Sequence, residues 1–298
     1  MTNSIAAPAS PGRKLLRRFL RRKLAVFGAG ILTLVFLGAL FAPWLAPQNP
    51  YDLLSLSMDN SLLPPIWAEG GQAPFYLGTD VQGRDILSTI LYGSRTSLIV
   101  GVSVVFLTSI IGGFVGLIAG FYGGWLDTII MRMGDSILSF STTLIAMLFL
   151  GLFQGSSMLL VICAISIGGW VQYARTMRSS VLVVKEEDYV TGARAIGASN
   201  FRIAIKHIVP NAFAPLFVIA AIDFGVVIML EATLSFLGIG VPITEPSLGM
   251  MIAQGKDFIY AGLWYLILCP GIVLMSIIFS LNLLADWLSE EIDPRASK

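Results

Sequence analysis

Few side chains in this 298-residue chain have the type or spacing to carry out a reaction. There is one histidine, His207, three residues before Pro210, and the two cysteines, Cys163 and Cys269, fall in separate apolar runs. Neither a disulfide framework nor a zinc site can be built from them. Gly255-Lys256 is followed by Asp257 and lacks a glycine at the preceding spacing, so no GxxxxGK[ST] phosphate loop is present. No nucleophile stands beside a base. What remains is Asp223 and Glu231, which interrupt an otherwise uncharged stretch from Ile208 to Thr244. Ionisable groups at membrane depth face a bundle interior, a water-filled path or a partner charge. Eight residues apart, they lie within about 80° of each other around a helix and can look toward one side. Relay of a proton is the chemistry such a pair could serve, and a structural role is the equal alternative.

The elements that would position them are membrane spans. Of the residues 56% are hydrophobic and 12% charged, and the mean hydropathy is +0.82, which describes a polytopic membrane protein. Uncharged runs extend from Leu24 to Ala46, Thr96 to Leu126, Ser136 to Ala174 and Phe258 to Ala285. The bilayer core of about 30 Å needs about 20 helical residues, so the third run is nearly twice too long for one span. It should fold back at Gln154-Gly155-Ser156-Ser157. Six helices follow, at about 24–46, 98–121, 136–153, 158–177, 211–237 and 263–287. With the N-terminus inside, sixteen Lys and Arg lie on the inner side against Arg84, Arg95 and Lys256 outside. Five spans would leave the two sides nearly equal, so the positive-inside rule selects six.

Ahead of the first span, Arg13 to Leu24 alternates Leu15, Leu16, Phe19 and Leu20 with Arg17, Arg18, Arg21 and Arg22, as a basic amphipathic helix on the inner leaflet does. The apolar run after it is too long for a signal-peptide core and reads as a retained span. The outer loop from Pro47 to about Ile90 ends in a stripe of Ile86, Leu87, Ile90 and Leu91, with Thr79 or Asp80 as cap, and reads as an interfacial helix. In the second span Gly112, Gly116 and Gly120 make a smooth face for close helix packing. A helix-like SLGMMIAQGKDFI lies in the outer loop at about 238–262.

Between Lys185 and Asn211 the chain turns charged and amphipathic, and two short helices are predicted. The first carries Tyr189, Val190, Ala193 and Ile196 on one face and ends at Gly197. Ser199 caps the second, which sets Phe201, Ala204, Ile205 and Ile208 apart from Arg202 and Lys206 until Pro210 breaks it. On physical grounds this hairpin is either an interfacial element or a docking surface for another protein.

The hairpin resembles the cytoplasmic "EAA" loop of permease subunits in bacterial ABC importers: Ala193, Gly197 and Pro210 match in register, while Thr191, Gly192, His207 and Val209 depart from the general pattern. Tyr189-Val190, Gly197, Ile203, His207 and Pro210-Asn211 are similar to the dipeptide, oligopeptide and nickel branch. The same branch is resembled by Gly78-Thr79-Asp80, Gly83-Arg84-Asp85 and Tyr92-Gly93, by EATLSFLGIGVP around Glu231, and by LNLLADWLSEEIDPR at the end.

The resemblance implies an all-α protein of six transmembrane helices with the type I importer permease fold. Its parts would be a cytoplasmic basic N-terminus at 1–23 and a first span with outer loop at 24–95. A core at 96–287, carrying the coupling hairpin at 185–211, and a cytoplasmic tail at 288–298 would follow. Both termini would be cytoplasmic, in a bacterial inner membrane. Residues Tyr189, Val190, Ala193, Gly197, Phe201, Ala204, Ile205, His207, Ile208 and Pro210 would couple to ATPases. Apart from the resemblance, which does not extend to Asp223, charge at membrane depth makes Asp223 and Glu231 the candidates for the translocation path. Implied partners are a second homologous permease, two cytoplasmic ATPase subunits, a periplasmic or lipid-anchored binding protein, and membrane lipids. No nucleic acid is implied, no cofactor or metal belongs to this chain, and ATP would be bound by the partners. Peptides are the expected cargo, with nickel or another small solute as the alternative. The rival classes are a self-contained proton-coupled transporter, for which no inverted repeat is evident, and a membrane scaffold.

Overall fold

The computed structural model describes residues 11–52, 56–153, 157–242 and 244–292. A basic helix α1 (Pro11–Arg21) leads into α2 (Lys23–Leu40) and one further turn, α3 (Ala42–Leu45). After an irregular stretch come α4 (Ile86–Tyr122), α5 (Gly124–Leu138), α6 (Thr142–Phe153) and α7 (Met158–Lys185). The short α8 (Asp188–Ala195), α9 (Asn200–Ile203) and α10 (Val209–Ala212) then precede α11 (Ala214–Phe236), α12 (Leu248–Gly255) and α13 (Tyr265–Ile292). Helices α2, α4, α7, α11 and α13 are each long and apolar enough to cross a bilayer, and the pair α5 and α6 makes a sixth span if counted together.

That pair corrects the expectation of one straight span over 136–153. The two helices meet at a bend of 86°. Ser136 and Ser139 donate their hydroxyls to the carbonyls of Arg132 and Asp135, back-bonding of the kind that bends helices. Two ion pairs, Asp127 with Arg178 and Asp135 with Arg175, fasten α5 along α7. Asp127 and Asp135 are thereby paired, whereas α6 carries no charge, and its 12 residues rise about 18 Å. Of the predicted turn, residues 154–156 lie outside the described part, and Ser157 caps α7 by accepting from the Leu160 amide.

The second span is also larger than expected. The interfacial helix and the predicted span at 98–121 are one continuous helix, α4, of 37 residues and about 55 Å. Its cap is Asp85, which accepts from the Ser88 amide at 2.7 Å and from the Ser88 hydroxyl. Thr79 and Asp80 are unavailable for that role. Thr79 donates to the carbonyl of Asn60 and accepts from the Leu63 amide, while Asp80 holds Arg84 in a buried ion pair at 2.7 Å. Burial pushes the Asp85 carboxyl above the usual carboxylate range, and the Ser88 bonds pull it back.

Three buried clusters hold the bundle. One joins α2, α4, α11, α12 and α13 around Ile228, Leu248 and Ile277. A second joins α4, α6, α7 and α11 around Val104, Ile165 and Leu234. A third, at the far end, joins α7, α11 and the hairpin around Tyr173, Met177 and Ile203. The predicted outer segment is the buried helix α12, capped by Ser247.

The glycine face of α4 meets α7 backbone to backbone. A Cβ on Gly112 would lie 2.3 Å from the Trp170 carbonyl oxygen, one on Gly116 2.3 Å from that of Ala174, and one on Gly120 2.9 Å from Val181. Backbone cannot give way as a flexible side chain can. Gly116→Val should therefore separate α4 from α7 and destabilise the chain by about 1–3 kcal/mol or more. Gly30→Ala on α2, where nothing lies within 4 Å, is the control. Melting in detergent should show a lowered midpoint for the first variant alone, and equal midpoints would refute the close contact.

Candidate functional site

The hairpin forms because each turn has the residue it needs. Gly197, with φ +85°, closes α8: its amide donates to the Arg194 carbonyl, and the next amide, of Ala198, donates to that of Ala193. These two bonds are the Schellman arrangement, which requires the left-handed backbone that glycine adopts without strain. Ser199 then caps α9 by accepting from the Arg202 amide at 3.4 Å.

Pro210 opens a new helical segment, as predicted, but no gap separates it from the turn before. Residues Ala204–Ile208 widen into a π turn, in which the Val209 amide donates to the carbonyl of Ala204. The chain continues as α10, with Pro210 in its first turn, where its missing N–H leaves no bond unmade. Asn211 donates its side-chain amide to the His207 carbonyl at 2.7 Å. His207 is half-buried, with its ring 6.3 Å from that of Tyr189, so it spans the two arms of the hairpin.

Burial divides the predicted site residues into two sets. Val190, Ala193 and Ile208 are buried, together with Ile203, against Tyr173, Met177, Val181 and Leu216. They anchor the hairpin to its own bundle and have no surface left for a partner. The helical face that the periodicity predicts is present, but it is divided between buried and exposed residues, which spacing alone does not distinguish. Tyr189, Ile196, Phe201 and Ile205 are exposed, Phe201 by 78% and Ile196 by 87%. Ala204 is intermediate and Pro210 exposed. Ile196, set on the first helix face at the sequence level yet left out of the coupling residues, belongs to this outer edge. Lys185 locks the base of the hairpin, donating to the Phe121 carbonyl at 2.7 Å at the end of α4, where a cation is also favoured by the helix dipole.

Asp223 and Glu231 are not brought together. Their turn of about 80° is enough to send them to different neighbours. Asp223, half-buried on α11, accepts from the Tyr173 hydroxyl at 2.9 Å. Glu231 is fully buried: Ser97 of α4 donates to Oε2 at 2.9 Å and Ser235 to Oε1 at 2.8 Å. Tyr173 and Ser97 stand 50 and 134 residues away in sequence, and no local pattern marks them. Among the described residues no group of three or more His, Cys, Asp or Glu could hold a metal ion.

Residues 112–298 match the family described as "Binding-protein-dependent transport system inner membrane component". Residues 10–65 match the "N-terminal TM domain of oligopeptide transport permease C". The chain is 36% identical over 286 residues to the "Di/tripeptide transport system permease protein DppC" of Pseudomonas aeruginosa, covering 96% of this chain and 93% of that one. It is 38% identical over 292 residues to the "Dipeptide transport system permease protein DppC" of Escherichia coli, covering 98% and 96%. A crystal structure of an amino acid ABC transporter with histidines is similar at a TM-score of 0.49 and 17% identity, over 67% of this chain and 91% of that chain.

The division of the hairpin can be checked without any partner. Val190→Asp places an unpaired charge in the anchoring cluster and should loosen the hairpin by several kcal/mol. Ile196→Asp, on the exposed edge, should leave it intact. Limited proteolysis of the purified chain should cut within 186–210 at least tenfold faster in the first variant and at the parent rate in the second. Equal rates would show that burial does not distinguish the two sides.

Proposed function

Because this chain belongs to the binding-protein-dependent transport system inner membrane components, we propose that it is the permease subunit of an ATP-driven importer of di- and oligopeptides. It has no ATPase site of its own in this reading. The names of relatives that match it along nearly their whole length support the peptide cargo. Two ATPase subunits would supply the energy, a second homologous permease would complete the path, and an external binding protein would deliver the substrate.

The observation that carries the coupling role is the hairpin's divided face. An anchored hairpin with Tyr189, Ile196, Phe201 and Ile205 outside can transmit force: a pull on its outer edge is delivered through Ile203 and Ile208 to α7 and α11. A hairpin resting loosely on lipid could not do this. Closure of the ATPases would move the hairpin, and the helices attached to it would rock between inward- and outward-facing arrangements. Asp223, with only Tyr173 bonding it among the described residues, is the acid we place at the path. Glu231, with both oxygens occupied, acts as an internal tie between α4 and α11. The positive-inside distribution supports cytoplasmic termini and a cytoplasmic hairpin.

Two experiments test this reading. Ile205→Asp and Phe201→Asp each put a charge into the contact and should reduce recovery of the ATPases with tagged permease at least tenfold, at normal membrane levels. Normal recovery together with peptide uptake driven by a proton gradient would favour a self-contained transporter instead. In intact cells, a cysteine at Ala198 should resist an impermeant maleimide, whereas one at Gly70 should be labelled. Labelling of Ala198 from outside would reverse the topology.

A further inference from the structure

A groove of about 300 Å³ opens where the start of α2 meets the end of α13, lined by Arg21, Arg22, Lys23, Leu24, Leu283 and Trp287 together with Asp286 and Glu290. Its shape is fixed by α1. Arg18 pairs with Glu291 at 2.6 Å and Arg22 with Glu290 at 2.5 Å, and the Phe19 ring packs edge-on against Trp287 at 4.9 Å. Below, Gly28 allows α2 to approach α13: a Cβ there would lie 3.1 Å from Leu283 and from the Ser280 carbonyl.

The charges around this groove do not cancel. Glu290 and Glu291 are matched by Arg22 and Arg18, whereas Arg17, Arg21 and Lys23 are exposed and form no ion pair among the described residues. Against these three cations stands the exposed Asp286 alone, an excess of positive charge. Directly beneath, the surface turns apolar, with Leu24 and Phe27 exposed at 67% and 58%. Trp287, amphipathic and at the boundary between the two zones, is the residue type that sits at headgroup level. A cationic rim over an apolar strip, at the end of two spans, has the two-part chemistry of one ligand: a phosphate group on top and acyl chains below.

We propose that this groove is a binding site for an anionic phospholipid, with Arg21 and Lys23 holding the headgroup phosphate and Leu24, Phe27 and Leu283 receiving the acyl chains. A bound lipid would join α1, α2 and α13 into one unit and brace the first span, which otherwise touches the bundle along one side. The negative headgroup also offsets the excess of positive charge that Asp286 leaves at Arg21 and Lys23.

The test is native mass spectrometry of the purified transporter complex, delipidated and titrated with phosphatidylglycerol or, separately, phosphatidylcholine. The parent should retain phosphatidylglycerol preferentially. The double variant Arg21→Gln, Lys23→Gln should weaken that binding roughly 30-fold, since each cation near a headgroup contributes about fivefold, and should leave phosphatidylcholine binding unchanged. Leu283→Trp, which fills the groove without altering charge, should weaken both lipids if the site is the groove itself. Undiminished phosphatidylglycerol binding in both variants would overturn the proposal. So would displacement of the lipid by millimolar glycerol phosphate, because the site would then be an anion site without a lipid component.

Discussion

The arrangement depends on one close approach, that of α4 to α7. Gly112, Gly116 and Gly120 bring the backbones of the two helices together over two turns, at distances where no other residue would fit. In a bilayer, burial of apolar surface gives no net drive between helices, because lipid tails are as apolar as leucine, so association depends on packing of this kind. The consequence extends beyond the contact. α7 ends at the hairpin, and its last turns supply Tyr173, Met177 and Val181 to the cluster that holds Val190, Ile203 and Ile208. The glycine face therefore sets the hairpin's position at one remove.

The same logic governs the polar groups. A carboxylate or hydroxyl inside the bundle needs a partner, because an unsatisfied group there destabilises by several kcal/mol. Glu231 finds Ser97 and Ser235, Asp223 finds Tyr173, and the hydroxyls of Thr108 and Ser166 return to carbonyls of their own helices. In α5, Asp127 and Asp135 find their partners in Arg178 and Arg175 of α7.

These features differ in how far sequence reveals them. The spans are legible because hydrocarbon selects long uncharged runs, and the glycine stripe because a repeat of four faces one side. Gly197 and Ser199 are legible because each satisfies a local backbone requirement. The bend after Leu138 is not, since it depends on α5 meeting two arginines 40 and 51 residues downstream. The π turn before Pro210 is hidden for a related reason. Proline signals a break, but a widened turn anchored by Ile203 and Ile208 absorbs the missing N–H. Nor can spacing alone separate Val190 and Ile208, which face the core, from Phe201 and Ile205, which face outward.

Coupling requires that the outward edge of the hairpin touch an ATPase while the inward one does not. The most direct measurement is photocrosslinking in intact membranes, with a benzophenone amino acid placed at Phe201 in one variant of the transporter and at Val190 in another. Crosslinks from position 201 to the ATPase subunit, and from position 190 only within the permease itself, are the predicted result. Crosslinks from position 201 to lipid alone would contradict the account.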